Sequence, residues 1–449
     1  MIFLVMNNSG ADNDPNCEQP SPHSNPQPSP STASANTTDI NATEMIGGLE
    51  SGMMPELSPF SRRAKAKGKA GGWELRRTGS RRWLAPWKDS RTTPVLYHVI
   101  SRVVDRRLAL HRDEKEHFRK LMRMHEAFSG CRVLAYCIMG NHFHLLLEVP
   151  PRPESGLAAE SLDHTHFAKR LAGIYRPGEV AEIMKSLKTA LEATDGSESS
   201  RMRVTEEIAG PYLARMHDLS AFMKGVLQRF TRWFNRHHER SGTLWEDRFK
   251  SVIVENGIPA RTVAAYIDLN PVRAGMVTDP ADYRWSSYGE AVGAGSRSVA
   301  GRAARGGLVR ALLCSEGVFD EPERWKEVSG RYRLLMKQAI ERKGGGGTAS
   351  VRRGDEAGAV TSPAMASFGS KETVSEGFVV EMGFAQMLMK RVRYFSAGAV
   401  IGSRECVDSC FELARERFGP KRKTGARRLR GDAAQAAGII WSMRDLHQD

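Results

Sequence analysis

The chain has 449 residues, 40% apolar and 26% charged, enough for two or three domains with their own cores. A net charge of +14 and a pI near 9.6 imply a polyanionic partner, nucleic acid ahead of an anionic membrane surface. No apolar run approaches the roughly 18 residues of a spanning helix, and Met1–Met6 lacks the basic flank and cleavage site of a signal peptide.

Six scattered cysteines, none in Cys-x-x-Cys spacing, indicate neither a zinc ribbon nor a disulfide framework, so a reducing, cytoplasmic setting is expected. Residues 1–61 are rich in Ser, Pro, Asn and Thr and read as a disordered tail. Residues 62–93 form a basic arm in which Arg81, Arg82 and other cations alternate with Trp73, Trp83 and Trp87. Such an arm suits a nucleic-acid strand, with cations on phosphates and indoles on bases. Equally, its tryptophans can dock on the domain behind it.

The main domain is expected over 94–292. Val95–Ser101 alternates as a strand, Arg112–Phe128 has helical spacing, and Arg132–Met139 is a second strand. Gly140-Asn141 reads as a two-residue hairpin turn needing a positive φ at glycine. In the strand beyond it, His142 and His144 share one face, so two imidazoles can meet one divalent metal. Two surface histidines on a half-exposed strand are the plain alternative. Residues 150–216 read as an insertion, with Val180, Ile183, Met184, Leu187 and Leu191 on one helical face.

Asp218 opens a helix whose apolar stripe is Phe222, Met223, Val226, Phe230, Trp233 and Phe234. Alongside runs a basic stripe, Arg229, Arg232, Arg236 and Arg240, read as phosphate contacts or a solvated face. Phe249–Glu255 is a fourth strand. The order strand-helix-strand-strand-helix-strand predicts an α+β, ferredoxin-like antiparallel sheet with helices on one face. Next, Pro259 starts a helix that Asn270-Pro271 ends or kinks, with Tyr266 and Asn270 one turn apart on the same face. A buried structural tyrosine would look the same. Residues 293–375 read as a basic, flexible linker with one helix. Residues 376–449 read as a small, mainly helical, basic extension.

Three stretches together, Tyr97–Arg102, Asn141–Leu146 and Tyr266–Gly275, resemble the single-tyrosine HUH transposases of the REP-associated branch. Gly242–Lys250 resembles that branch too, and the likeness spans about residues 90–292. It implies a bacterial, nucleoid-associated transposase that nicks and rejoins single-stranded DNA beside a hairpin, with a homodimer compatible and no membrane partner. His142 and His144 match the paired metal histidines, Asn270 the third ligand and Tyr266 the nucleophile, with Mg²⁺ or Mn²⁺ as cofactor. Arg229, Arg232, Arg236, Arg240, Arg248, Lys250, Arg273, Arg81 and Arg82 are the expected DNA contacts. Attack by Tyr266 would leave a 5′-phosphotyrosyl enzyme and a free 3′-OH. The alternatives are a DNA- or RNA-hairpin-binding protein with a vestigial site, and a metal-dependent hydrolase in which water attacks. The long insertion at 150–216 departs from a minimal domain of this family.

Overall fold

In a computed structural model the described residues are 83–90, 92–152, 162–293, 297–313, 322–344, 388–389, 395–396, 398–418, 420–426 and 440–444. The expected tail, Trp73, Arg81 and Arg82 fall outside them.

Six strands form one sheet in the order β2-β3-β1-β4-β5-β6. They are β1 (Val95–Arg102), β2 (Arg132–Ile138), β3 (His142–Val149), β4 (Lys250–Val254), β5 (Gly398–Gly402) and β6 (Trp441–Arg444). The first four pair antiparallel in the ferredoxin-like order. Helix α1 (Arg112–Ser129) starts where the Glu114 carboxylate accepts the His111 backbone N–H, and stops at Gly130 in the left-handed region.

The insertion supplies α2 (His164–Leu171), α3 (Pro177–Glu192), α4 (Glu198–Ile208) and α5 (Gly210–Leu213). These close their own small core around Leu187, Phe167 and Leu171 against Phe128 of α1. Helix α6 (Leu219–His237) is capped by Asp218, whose carboxylate accepts the Ala221 N–H at 2.6 Å. Its buried stripe is Phe222, Met223, Val226, Phe230 and Phe234, as the spacing predicts. Trp233 is only partly buried, because it is stacked between His117 and His237.

Helices α1 and α6 cover one face of the sheet, packing on Tyr97, Val99, Phe143, Leu145 and Leu147. The opposite face, expected to lack helices, is also covered. Over it lie α7 (Ile258–Asp268), α8 (Asn270–Arg273), α9 (Ser287–Val292), α10 (Val299–Leu313) and α11 (Trp325–Gly344), packing on Leu96, Leu134, Leu146 and Val252. Thus the described part of 293–375, read from sequence as a linker with one helix, holds two helices. Gly307 lets α10 approach β2 closely: a methyl group there would land on the Val133 carbonyl. Arg310 of α10 pairs at 2.7 Å with Glu148 of β3, and both are buried.

The C-terminal part differs from the expected helical extension. Strand β5 joins the sheet parallel to β4, β6 pairs antiparallel with β5, and α12 (Arg404–Leu413) lies between them. At the other end of the chain, Trp83 is buried against Phe418, and its carbonyl accepts the Ser251 hydroxyl at 2.7 Å. This indole docks on the domain, which leaves it no free face for a base.

Candidate active site

The β1–β3 register sets Ile100 opposite His144 and Arg102 opposite His142. Cross-strand partners share a face, so His98, Ile100, Arg102, His142 and His144 all face the α7 side. Lys250 joins them by pairing with Ile100. The turn preceding His142 departs from expectation, since Gly140 has no positive φ. Its carbonyl accepts the Leu110 N–H at 2.8 Å, and a side chain there would press on Leu108. Leu108 is itself exposed and can give way, so neither handedness nor space makes glycine obligatory here.

The rings of His142 and His144 lie 5.2 Å apart, nearly perpendicular. His98 stacks on His144 at 5.1 Å, and its Nε2 lies 2.9 Å from Nδ1 of His144. The Tyr266 ring, carried on α7, sits 5.8 Å from both His98 and His144. Phe395 stacks on Tyr266 at 4.5 Å, and the Arg273 guanidinium lies 4.0 Å from its ring centre. Arg273 donates to Asn270 Oδ1 at 2.5 Å and to the Leu388 carbonyl at 2.9 Å. The contacts therefore run unbroken from His142 through His144, Tyr266 and Arg273 to Asn270. Asp268 anchors the end of α7, accepting from Ser287 Oγ, Tyr288 N–H and Tyr332 O–H at 2.7, 3.0 and 2.7 Å.

Burial, reinforced by Arg102 and Arg273, holds the His142 imidazole down to about 4. Burial and the neighbouring cationic side chains push His144 well below its ordinary value. Both rings are thus neutral and carry a lone pair at physiological pH. Asn141 decides which nitrogen of His142 holds it. The Asn141 amide nitrogen donates to the Arg106 carbonyl at 2.9 Å, so its oxygen must face His142 Nδ1, 2.6 Å away. His142 therefore keeps its proton on Nδ1 and presents the lone pair of Nε2.

Asn270 Oδ1 has a second lone pair beyond the one Arg273 takes. Its buried Nδ2 has no partner among the described residues. Two neutral imidazoles and an amide oxygen are donor types that a divalent cation can take. Burial raises the Tyr266 phenol above its ordinary value, opposed by Arg273 and by a hydrogen bond with Ser396. A separate group, Glu114, His237 and His238, could also hold a metal, but it lies where α1 begins and α6 ends, on the other sheet face.

Residues 92–166 match the family described as "Transposase IS200 like". The match covers 75 of the 449 residues, so it is a likeness over one stretch of the chain. The matched segment runs from just before β1 into α2 and includes His98, His142 and His144; Tyr266 and Asn270 lie beyond it. A solved structure titled as a REP-associated tyrosine transposase bound to a REP hairpin aligns at 13% identity, covering 48% of this chain and 84% of that one, with a TM-score of 0.27. No curated protein matches the chain.

The remaining sequence-predicted residues are dispersed around the matched segment. Arg232, Arg236, Arg248 and Lys250 are exposed. Arg240 is half-buried, donating to the Thr243 carbonyl at 3.0 Å. Arg229 is turned inward, with both terminal nitrogens on the Ile174 carbonyl at 3.3 and 3.4 Å. Arg273 belongs to the site itself. Sequence reasoning passed over His98 and Arg102, which strand alternation in Tyr97–Arg102 could have placed. It also passed over Phe395 and Ser396, for which no local signal exists.

Proposed function

We propose that this chain is a metal-dependent, single-stranded DNA endonuclease and strand transferase in which Tyr266 is the nucleophile. The observation that carries the reading is the placement of Tyr266 against His144 and Arg273, over the sheet face that presents His142. A divalent cation held by His142, His144 and Asn270 would supply positive charge to the non-bridging oxygens of a phosphodiester. Tyr266 Oη attacks phosphorus, and the Oη–P bond forms as the P–O3′ bond breaks. The phenol proton ends on the departing 3′-oxygen, leaving a 5′-phosphotyrosyl protein and a free 3′-OH. Attack by a 3′-OH in the reverse direction rejoins a strand, so bond energy is retained.

Arg273 favours the phenolate that the attack needs, working against burial. The exposed Arg232, Arg236, Arg248 and Lys250 offer cations to a DNA backbone. In keeping with the family, a hairpin beside the cleavage site is the expected substrate feature, and a homodimer is compatible with the reading.

One observation favours the rival, a hairpin-binding protein that performs no chemistry: Tyr266 has no exposed surface. A phosphate can reach it only by opening the contacts around it. The test is covalent trapping. Single-stranded DNA labelled on the 3′ side of the nick should become attached to the wild type, resist SDS, and map to Tyr266 by mass spectrometry. Tyr266→Phe, which keeps the ring, should bind DNA and form no adduct. Absence of any adduct in the wild type, or one on another tyrosine, overturns the assignment.

A further inference from the structure

Of the three histidines in the site, His98 has no role in the reading above. It is fully buried, and each ring nitrogen has one partner. Nδ1 lies 2.9 Å from the Phe395 carbonyl oxygen, and Nε2 lies 2.9 Å from Nδ1 of His144. A carbonyl oxygen can only accept, so Nδ1 of His98 carries its proton. In the neutral ring Nε2 is then the acceptor, and the proton between the two histidines belongs to Nδ1 of His144. The lone pair of His144 is left on Nε2. Neither ring has a carboxylate partner among the described residues that would favour an imidazolium.

We propose that His98 is a positioning residue: with the Phe395 carbonyl behind it, it fixes His144 in the tautomer that offers Nε2 outward. Asn141, from the adjoining turn, imposes the same choice on His142 through a different group. The two candidate metal histidines would then present matching nitrogens before any cation arrives. Groups that orient metal-binding histidines in this way commonly change affinity 10- to 100-fold when removed. The relay also joins distant parts of the chain, since His98 is on β1 and its carbonyl partner belongs to the segment preceding β5. The inference rests on the reading of His142 and His144 as the metal-holding pair.

Its test begins without metal or DNA. In the full-length protein labelled with ¹⁵N-histidine, long-range ¹H–¹⁵N correlations distinguish the two neutral tautomers, and the His144→Gln spectrum identifies the His144 signals. The expected result is a proton on Nδ1 of both His98 and His144. A proton on Nε2 of His144 in the wild type overturns the proposal, whatever DNA trapping shows. The second arm measures Mn²⁺ binding by electron paramagnetic resonance. His98→Leu, which removes the acceptor, should weaken binding 10- to 100-fold. His98→Gln can return an amide oxygen to the Nε2 position, and should stay within about threefold of wild type. Equal binding in the Leu variant, or equal loss in both variants with His144 still in its wild-type tautomer, overturns it. Failure of the nuclease reading would appear separately, as correct tautomers with no DNA adduct.

Discussion

At the residue scale, the proposed chemistry divides labour between groups that grip DNA and groups that act on it. His142→Ala and His144→Ala remove imidazoles that the exposed arginines do not depend on. Each should abolish cleavage while leaving single-stranded DNA affinity within about twofold, measured by anisotropy beside a nicking assay. EDTA should reproduce the loss, and cleavage that persists in EDTA sinks the metal reading. Asn270→Ala should be milder, because water can replace an amide oxygen in an octahedral shell. The roles proposed for His142, His144, Tyr266 and Asn270 come from the family resemblance. The shared strand face of the two histidines and the one-turn spacing of Tyr266 and Asn270 were legible because strand alternation and helical spacing are local rules. The orientation of their atoms was not. It depends on His98, Arg273 and Phe395, whose contacts arise only from the register of β1 on β3 and from a segment far away in sequence.

At the scale of elements, the α1–α6 pair carries the face opposite the site, and its closeness has one narrow requirement. A methyl group on Gly225 would land on the ring of His125, which is itself buried. Gly225→Ala should cost about 1–3 kcal/mol by overpacking, read as a lower urea midpoint with an unchanged slope. A variant as stable as wild type would mean that the two helices can move apart freely. The basic stripe was predicted as four arginines, yet of these only Arg232 and Arg236 are exposed, because Arg229 closes onto the insertion and Arg240 onto the Thr243 carbonyl. Helical spacing could not anticipate the first of these contacts, since its acceptor is a carbonyl of the insertion. Arg232→Ala should make the salt dependence of single-stranded DNA binding shallower by about 0.7 in log–log slope if it contacts one phosphate. Arg229→Ala should leave that slope unchanged and lower stability instead. The reverse pattern would show that Arg229 leaves Ile174 to meet DNA.

Taken whole, the molecule holds a set of histidines neutral, with His98, His125 and His144 buried and His142 and His217 half-buried. Burial is the leading cause in each: His98, His142 and His217 are held at about 4, His125 at about 3, and His144 well below its ordinary value. In the unfolded chain these groups take up protons near pH 6.5. Between that pH and about 4 the native state therefore binds fewer protons than the unfolded state. Their contribution to stability is full above about pH 6.5 and is lost as pH falls through the folded values. Urea midpoints in metal-free buffer should drop steadily from pH 6.5 to 5, a range in which most surface carboxylates stay ionised. A flat profile there would contradict the burial of these rings. At this scale the four strands of the ferredoxin-like order and the helices α1 and α6 were readable, since each announces itself by periodicity. The docking of Trp83, the second layer of helices and the last two strands were not, because each is decided by a partner elsewhere in the chain.

The parallel pairing of β5 with β4 has a consequence during synthesis. Strand β4 ends at Val254 and its neighbour begins at Gly398. At roughly 5–20 residues per second, the ribosome takes about 7–30 s to make the intervening chain. For that interval β4 is an unpaired edge, with backbone groups open to any other extended strand. The nascent protein therefore passes through a stage at which self-association competes with completion of the sheet, and low temperature or slow translation between the two strands should lower the soluble yield.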